Sequence, residues 1–159
     1  MQATPLQLAR ATAILANKGR VIVPRVVDHM KAPPDTENPF PLQKTENIPI
    51  PPVYWRAVVD AMVDVVHSGR GTAKGIGGGL NYHIAGKTGT AQVFSVGQGQ
   101  SYKSMRVKAQ LKDHAWFIAF APAEAPRIAI AVIVENGGHG GSVAAPIARN
   151  VIQYYMKGH

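Results

Sequence analysis

The chain contains no cysteine, which excludes disulfides, thiolate nucleophiles and cysteine metal sites and leaves the redox compartment open. No stretch approaches the ~20 uninterrupted apolar residues that crossing a bilayer requires. The first residues also lack a basic start followed by an apolar run, so neither membrane anchor nor signal peptide is expected. The six histidines show no His-x-x-x-His or His-x-x-Glu-His spacing, so neither a metal site nor a cofactor is expected. Acidic residues are few: 9 against 17 Lys and Arg leaves a formal charge of +8. Such a field attracts polyanions. The densest basic segment, Lys103 to Lys112, has Tyr102 as its lone aromatic neighbour and reads as a solvated loop, so no nucleic-acid partner is expected.

What is present suits a packed core: 159 residues, 46% hydrophobic, fit one domain or a piece of a larger one. Thr4-Pro5-Leu6-Gln7 carries the signs of a helix start, with Thr4 as cap, Pro5 in the first turn and Gln7 reaching back. Leu8, Ala11, Ile14 and Leu15 then form an apolar stripe ended by Lys18-Gly19. Arg20 to Val27 reads as a short strand pair or an irregular strand at the periphery, because Pro24 cannot donate to a ladder. Residues 31–52 are dense in proline and polar residues and predict a surface excursion. Val53 to Ser68 returns to a helical period, with Trp55, Val58, Met62, Val65 and Val66 on one side. The glycine-rich run from Gly69 ends it, and a second short helix could start at Thr72.

Three strands are expected at His83–Phe94, Ala115–Ala121 and Arg127–Glu135, with residues 95–113 as a basic polar loop between the first two. The short PAEAP link predicts an antiparallel hairpin. The last strand is apolar at nearly every position, which suits a strand covered on both faces in mid-sheet. Gly137 and Gly138 are expected to take positive backbone angles. Ser142 is the expected cap of a closing helix with Val143, Ile147, Val151 and Tyr154 inward. His139 reads as a loop residue, and Trp55 and Trp116 as core or rim packing.

The stretch YHIAGKTGTAQVF, Tyr82 to Phe94, admits two chemistries. A phosphate loop ending at Gly86-Lys87-Thr88 needs glycine at position 81, which is Asn81, and needs a helix next, where Gly89 and β-prone residues stand instead. On a strand, Lys87 and Gly89 point one way and Thr88 and Thr90 the other. If that strand rims a cleft, Lys87 supplies positive charge and Gly89 lets another backbone approach. The threonine hydroxyls could hold a carboxylate, and the Thr90 N–H could donate to an oxyanion. A hydrolase triad of Asp64, His67 and Ser68 fails because neighbours on one helix do not face each other.

Lys87-Thr88-Gly89 resembles the third motif of the penicilloyl-serine transferases. Together with MQATPLQLARATAILANKG, HAWFIAFAPAEAPRIAIAVIVENGG and GGSVAAPIAR, it is similar to consecutive segments of the class B penicillin-binding proteins, in the elongation-type group called penicillin-binding protein 2. The resemblance covers most of the chain outside residues 31–52 and the basic loop. It implies an α/β fold of the α+β type, an antiparallel sheet flanked by helices, forming part of a serine β-lactamase-like transpeptidase domain. It also implies a peptidoglycan D,D-transpeptidase acting through a serine acyl-enzyme on D-Ala-D-Ala stem peptides and acylated by β-lactams. Lys87 and Thr90 would be catalytic, with Thr88, Gly89 and Thr90 binding substrate. Implied partners are a glycosyltransferase and the elongation machinery, at the periplasmic face of the inner membrane.

The family's Ser-x-x-Lys and Ser-x-Asn motifs are absent. Ser68, Ser95, Ser101, Ser104 and Ser142 have no lysine three residues on and no asparagine two on. Residues 1–159 therefore read as the C-terminal part of one transpeptidase domain, expected to be inactive without the other part. Without the sheet's N-terminal strands, Ile128 to Val134 would be an open apolar edge that invites self-association. The alternatives are a serine β-lactamase and a binding-only module docking through Lys103, Arg106 and Lys108.

Overall fold

The computed structural model describes residues 3–26, 46–92 and 112–158. Most of the basic loop and most of the proline-rich excursion lie outside the described residues.

Helix α1 spans Pro5–Ala16. Its first turn closes the expected capping box: the Thr4 N–H donates to Gln7 Oε1 at 2.8 Å, and the Gln7 N–H to Thr4 Oγ1 at 3.2 Å. A cap of this kind contributes about 1 kcal/mol. Lys18 and Gly19 end the helix at φ 54° and 94°. The buried face differs from the expected stripe, because Ala11 is exposed and Thr12 is buried. Thr12 suits a core position because its hydroxyl donates to Leu8 O at 2.7 Å and is thereby satisfied within the helix.

The strand expected at Arg20–Val27 is not formed. A single bridge pairs Arg20 with Asn47, flanked by Val21 N–H to Glu46 O at 2.8 Å and Ile48 N–H to Gly19 O at 2.9 Å. Helix α2 spans Pro52–His67 and opens on proline. Met62 and Val66 are buried, but Val58 is 47% exposed and Val59 packs inward instead. With valines at both 58 and 59, periodicity could not separate the two. The second helix expected from Thr72 is one 3-10 turn at Lys74–Ile76.

Strands β1 (Ala85–Ala91), β2 (His114–Ala121) and β3 (Ile128–Val134) form an antiparallel sheet in the order β1-β2-β3. Residue alternation divides its faces. Phe117, Ala119 and Ala121 of β2 join Ile128, Ile130 and Val132 of β3 in one core, with Ala145, Ala148 and Ile152 of helix α3 (Ala144–Met156). On the other face Ala85 and Phe120 meet Ala16 and Met62. The expected hairpin is present, yet β2, not β3, is the middle strand of the described sheet. β3 has α1 and α3 packed on it but is half-exposed throughout because nothing described pairs its outer edge.

The closing helix buries a different stripe from the expected one. Ala144, Ala145, Ala148 and Ile152 face the sheet, while Ile147, Val151 and Tyr154 are 44%, 44% and 65% exposed. Alanines let the helix axis approach the strands closely, and that packing outranked the larger residues. Ser142 does not cap the helix; its hydroxyl donates to His139 O at 3.3 Å, and Val143 holds the cap position. Positive φ falls on Asn136 (54°) and Gly138 (84°), not on Gly137.

Candidate active site

Gly86-Lys87-Thr88 lies in mid-strand on β1 with no helix after it, which removes the phosphate-loop reading. The Asp64–His67–Ser68 alternative also fails. His67 Nε2 accepts the Ile84 N–H at 3.0 Å, and the Ser68 N–H is spent on Asp64 O at 3.1 Å. That His67 bond ties the end of α2 to the residue before β1.

Along β1 the expected alternation holds. Lys87 and Gly89 pair with Ile118 and Trp116 on one face, and Thr88 and Thr90 with Phe117 and Ala115 on the other. β1 is an edge strand, so its outer backbone is unpaired by any other described strand. It borders an open groove of about 710 Å³ that runs over Lys87 to Gln92, His114, Trp116 and Ile118 to Leu8 of α1. Lys87 Nζ donates to Thr88 O at 2.7 Å, which holds the ammonium beside the strand. Thr88 Oγ1 lies 3.0 Å from Thr72 Oγ1. Thr90 is exposed.

The turn after β3 fixes this arrangement from the far face. A Cβ on Gly140 would stand 2.1 Å from Trp116 O and 2.6 Å from Gly89 O. The backbone of this turn therefore lies close against the Gly89–Trp116 pair, and Gly140 is what permits it, whereas a Cβ on Gly89 would meet Trp116 Cβ at 3.1 Å. Gly141 is equally tight on Thr72 O, at 2.2 Å. No described serine lines the groove: Ser68 ends α2 and Ser142 sits in the turn before α3. His139 is an exposed turn residue, Trp116 lines the groove rim, and the indole N–H of Trp55 donates to Ile50 O at 2.9 Å.

Sequence reasoning missed two contributors, Thr72 and His67. Thr72 stands 16 residues from Thr88 in a glycine-rich loop, where no periodicity predicts which side chain reaches the strand. No group of three or more His, Asp or Glu suited to a metal occurs among the described residues. No helix among them is long and apolar enough to cross a membrane.

The model of the penicillin-binding protein transpeptidase domain matches residues 1–153. The chain belongs to this penicillin-binding protein transpeptidase family. It is 42% identical over 158 residues to the peptidoglycan D,D-transpeptidase MrdA of Haemophilus influenzae, covering 97% of this chain and 24% of that relative. Among solved structures it resembles Pseudomonas aeruginosa PBP2 in complex with WCK 5153, with TM-score 0.75, 42% identity, and 98% of this chain on 30% of that one. It also resembles PBP2 in a complex with MreC from Helicobacter pylori, with TM-score 0.71, 28% identity, and 98% on 25%. The transpeptidase sheet and helices described above are thus an α+β part of that fold. The chain spans about a quarter of the length of the curated relatives it matches.

Proposed function

We propose that these residues form one wall of the active site of a peptidoglycan D,D-transpeptidase that cross-links stem peptides through a serine acyl-enzyme and is acylated by β-lactams. The observation that carries the reading is the Lys87-Thr88-Gly89-Thr90 run on an edge strand beside an open groove, in a chain of the transpeptidase family. Lys87 supplies positive charge and assists proton relay. Thr88 and Thr90 hold the terminal carboxylate of a D-Ala-D-Ala end, and the Thr90 N–H donates to the oxyanion of the tetrahedral intermediate. Gly89 keeps that strand narrow enough for the ligand to lie against it.

The nucleophilic serine and its base come from outside these 159 residues, since no Ser-x-x-Lys or Ser-x-Asn occurs here. On this reading residues 1–159 are the C-terminal part of one transpeptidase domain and do not acylate alone. The setting is the periplasmic face of the bacterial inner membrane. Partners are a glycosyltransferase and the elongation machinery, in keeping with the MreC complex of the H. pylori relative. The outer edge of β3, unpaired among the described strands, adds a route to self-association.

The test is intact-protein mass after incubation with benzylpenicillin, on a protein of the relatives' full length carrying this sequence over residues 3–158. A covalent adduct on a serine outside residues 1–159 is expected. Lys87→Ala should slow its formation by roughly 10²-fold or more, the scale of losing one preorganised charged donor. A folded protein that takes up no adduct would sink the transpeptidase reading.

A further inference from the structure

Thr72 lies in the loop between α2 and β1, and the backbone of that loop is held from several directions. The Ala73 N–H donates to Val65 O at 2.9 Å, and Lys74 Nζ donates to Gly69 O at 3.1 Å. Farther along the loop, Arg149 of α3 donates to Gly78 O at 2.7 Å. Gly141 presses on the Thr72 carbonyl so closely that a Cβ there would stand 2.2 Å from it and 3.4 Å from Thr88 Cγ2. The loop is thereby held beside β1, and its side-chain contact with the strand at Thr72 is the hydroxyl pair Thr72 Oγ1 and Thr88 Oγ1, 3.0 Å apart.

We propose that Thr72 is a positioning residue that orients the Thr88 hydroxyl toward the carboxylate of the ligand. This rests on the transpeptidase reading, which makes Thr88 a carboxylate-binding residue. A threonine hydroxyl has one proton and two acceptor sites. In the pair one oxygen donates and the other accepts. A carboxylate only accepts, so its arrival requires the Thr88 proton and selects the arrangement in which Thr72 donates to Thr88. The resulting chain, Thr72 O–H to Thr88 O–H to carboxylate, polarises in one direction and strengthens the last bond. Lys87 Nζ on the Thr88 carbonyl places positive charge at the same residue, so the local field favours an anion. Without Thr72 the Thr88 hydroxyl loses the partner that sets its rotor.

The test uses two probes on the protein of relatives' length: benzylpenicillin, which carries the anion, and its methyl ester, which does not. Thr72→Val, nearly isosteric but without the hydroxyl, should lower the second-order acylation rate with benzylpenicillin about tenfold, the loss expected for one hydrogen bond supporting a charged group. The rate with the methyl ester should change far less. Thr72→Ser should restore the benzylpenicillin rate. Equal losses on both probes, or no loss on benzylpenicillin, would overturn the positioning role while leaving the transpeptidase reading intact. An unsubstituted protein that neither probe acylates would remove both.

Discussion

His67 accepts the backbone N–H of Ile84 on Nε2, and an imidazole can do so only while that nitrogen is unprotonated. Burial is the first cause holding its pKa below the ordinary value, and the charge of His83 adds to it, with Glu124 pulling the other way. The His83 ring stands edge-on at 5.0 Å, and His83 Nδ1 pairs with the Glu124 carboxylate on its far side. A base whose folded pKa is depressed stabilises the fold fully above its unfolded value, about 6.5. That contribution is lost as pH falls through the unfolded and then the folded value. Tm should therefore be flat from pH 8 to about 6.5 and drop on further acidification. His67→Gln, which keeps an acceptor but does not titrate, should flatten the drop, and an unchanged pH profile in that variant would remove the idea. Glu124 lies outside this window: its carboxyl is held below the usual range, chiefly by the hydrogen bond with His83, and it titrates lower. None of this was readable from sequence, where His67 was one of three residues in a discarded triad. The partner that gives it a task is a backbone amide 17 residues on.

At the scale of elements, local chemistry was legible and packing choice was not. Thr4, Pro5 and Gln7 announce α1, and PAEAP announces the β2–β3 hairpin, because caps and tight links are set by neighbours in sequence. Inward faces were misjudged where apolar residues were in surplus. Val58 lost to Val59 on α2, and Ile147, Val151 and Tyr154 lost to alanines on α3. The sequence also does not say that the turn after β3 closes over Gly89. Substitution there tests how firmly it does. Gly140→Ala should cost about 1–3 kcal/mol by overpacking against Trp116 O and Gly89 O. Gly75→Ala, in the 3-10 turn with open space around it, should be neutral or stabilise by a few tenths of a kcal/mol. Thermal melts of the two variants decide the matter. Equal Tm values would mean that the turn gives way and does not clamp the strand.

Over the whole molecule, family, fold class and the placing of Lys87-Thr88-Gly89-Thr90 on a strand were legible because that run and its flanks are contiguous. The groove was not, since its walls come from α1, β1 and β2. The seven half-exposed residues of β3 form an unpaired apolar edge among the described strands. The 159-residue chain by itself should therefore associate with rising concentration, read by light scattering. A monodisperse monomer across the range would remove that expectation. The other edge of the same sheet carries a different consequence. β1 offers a ligand mainly peptide groups, with glycine in the middle of the strand, and peptide groups are the same whatever side chains an incoming chain bears. A guest laid along them is selected by its polarity, by its extended shape and by what stands at its end. On the proposed function, such a wall would tolerate varied residues along the guest's length and concentrate its discrimination on the terminus.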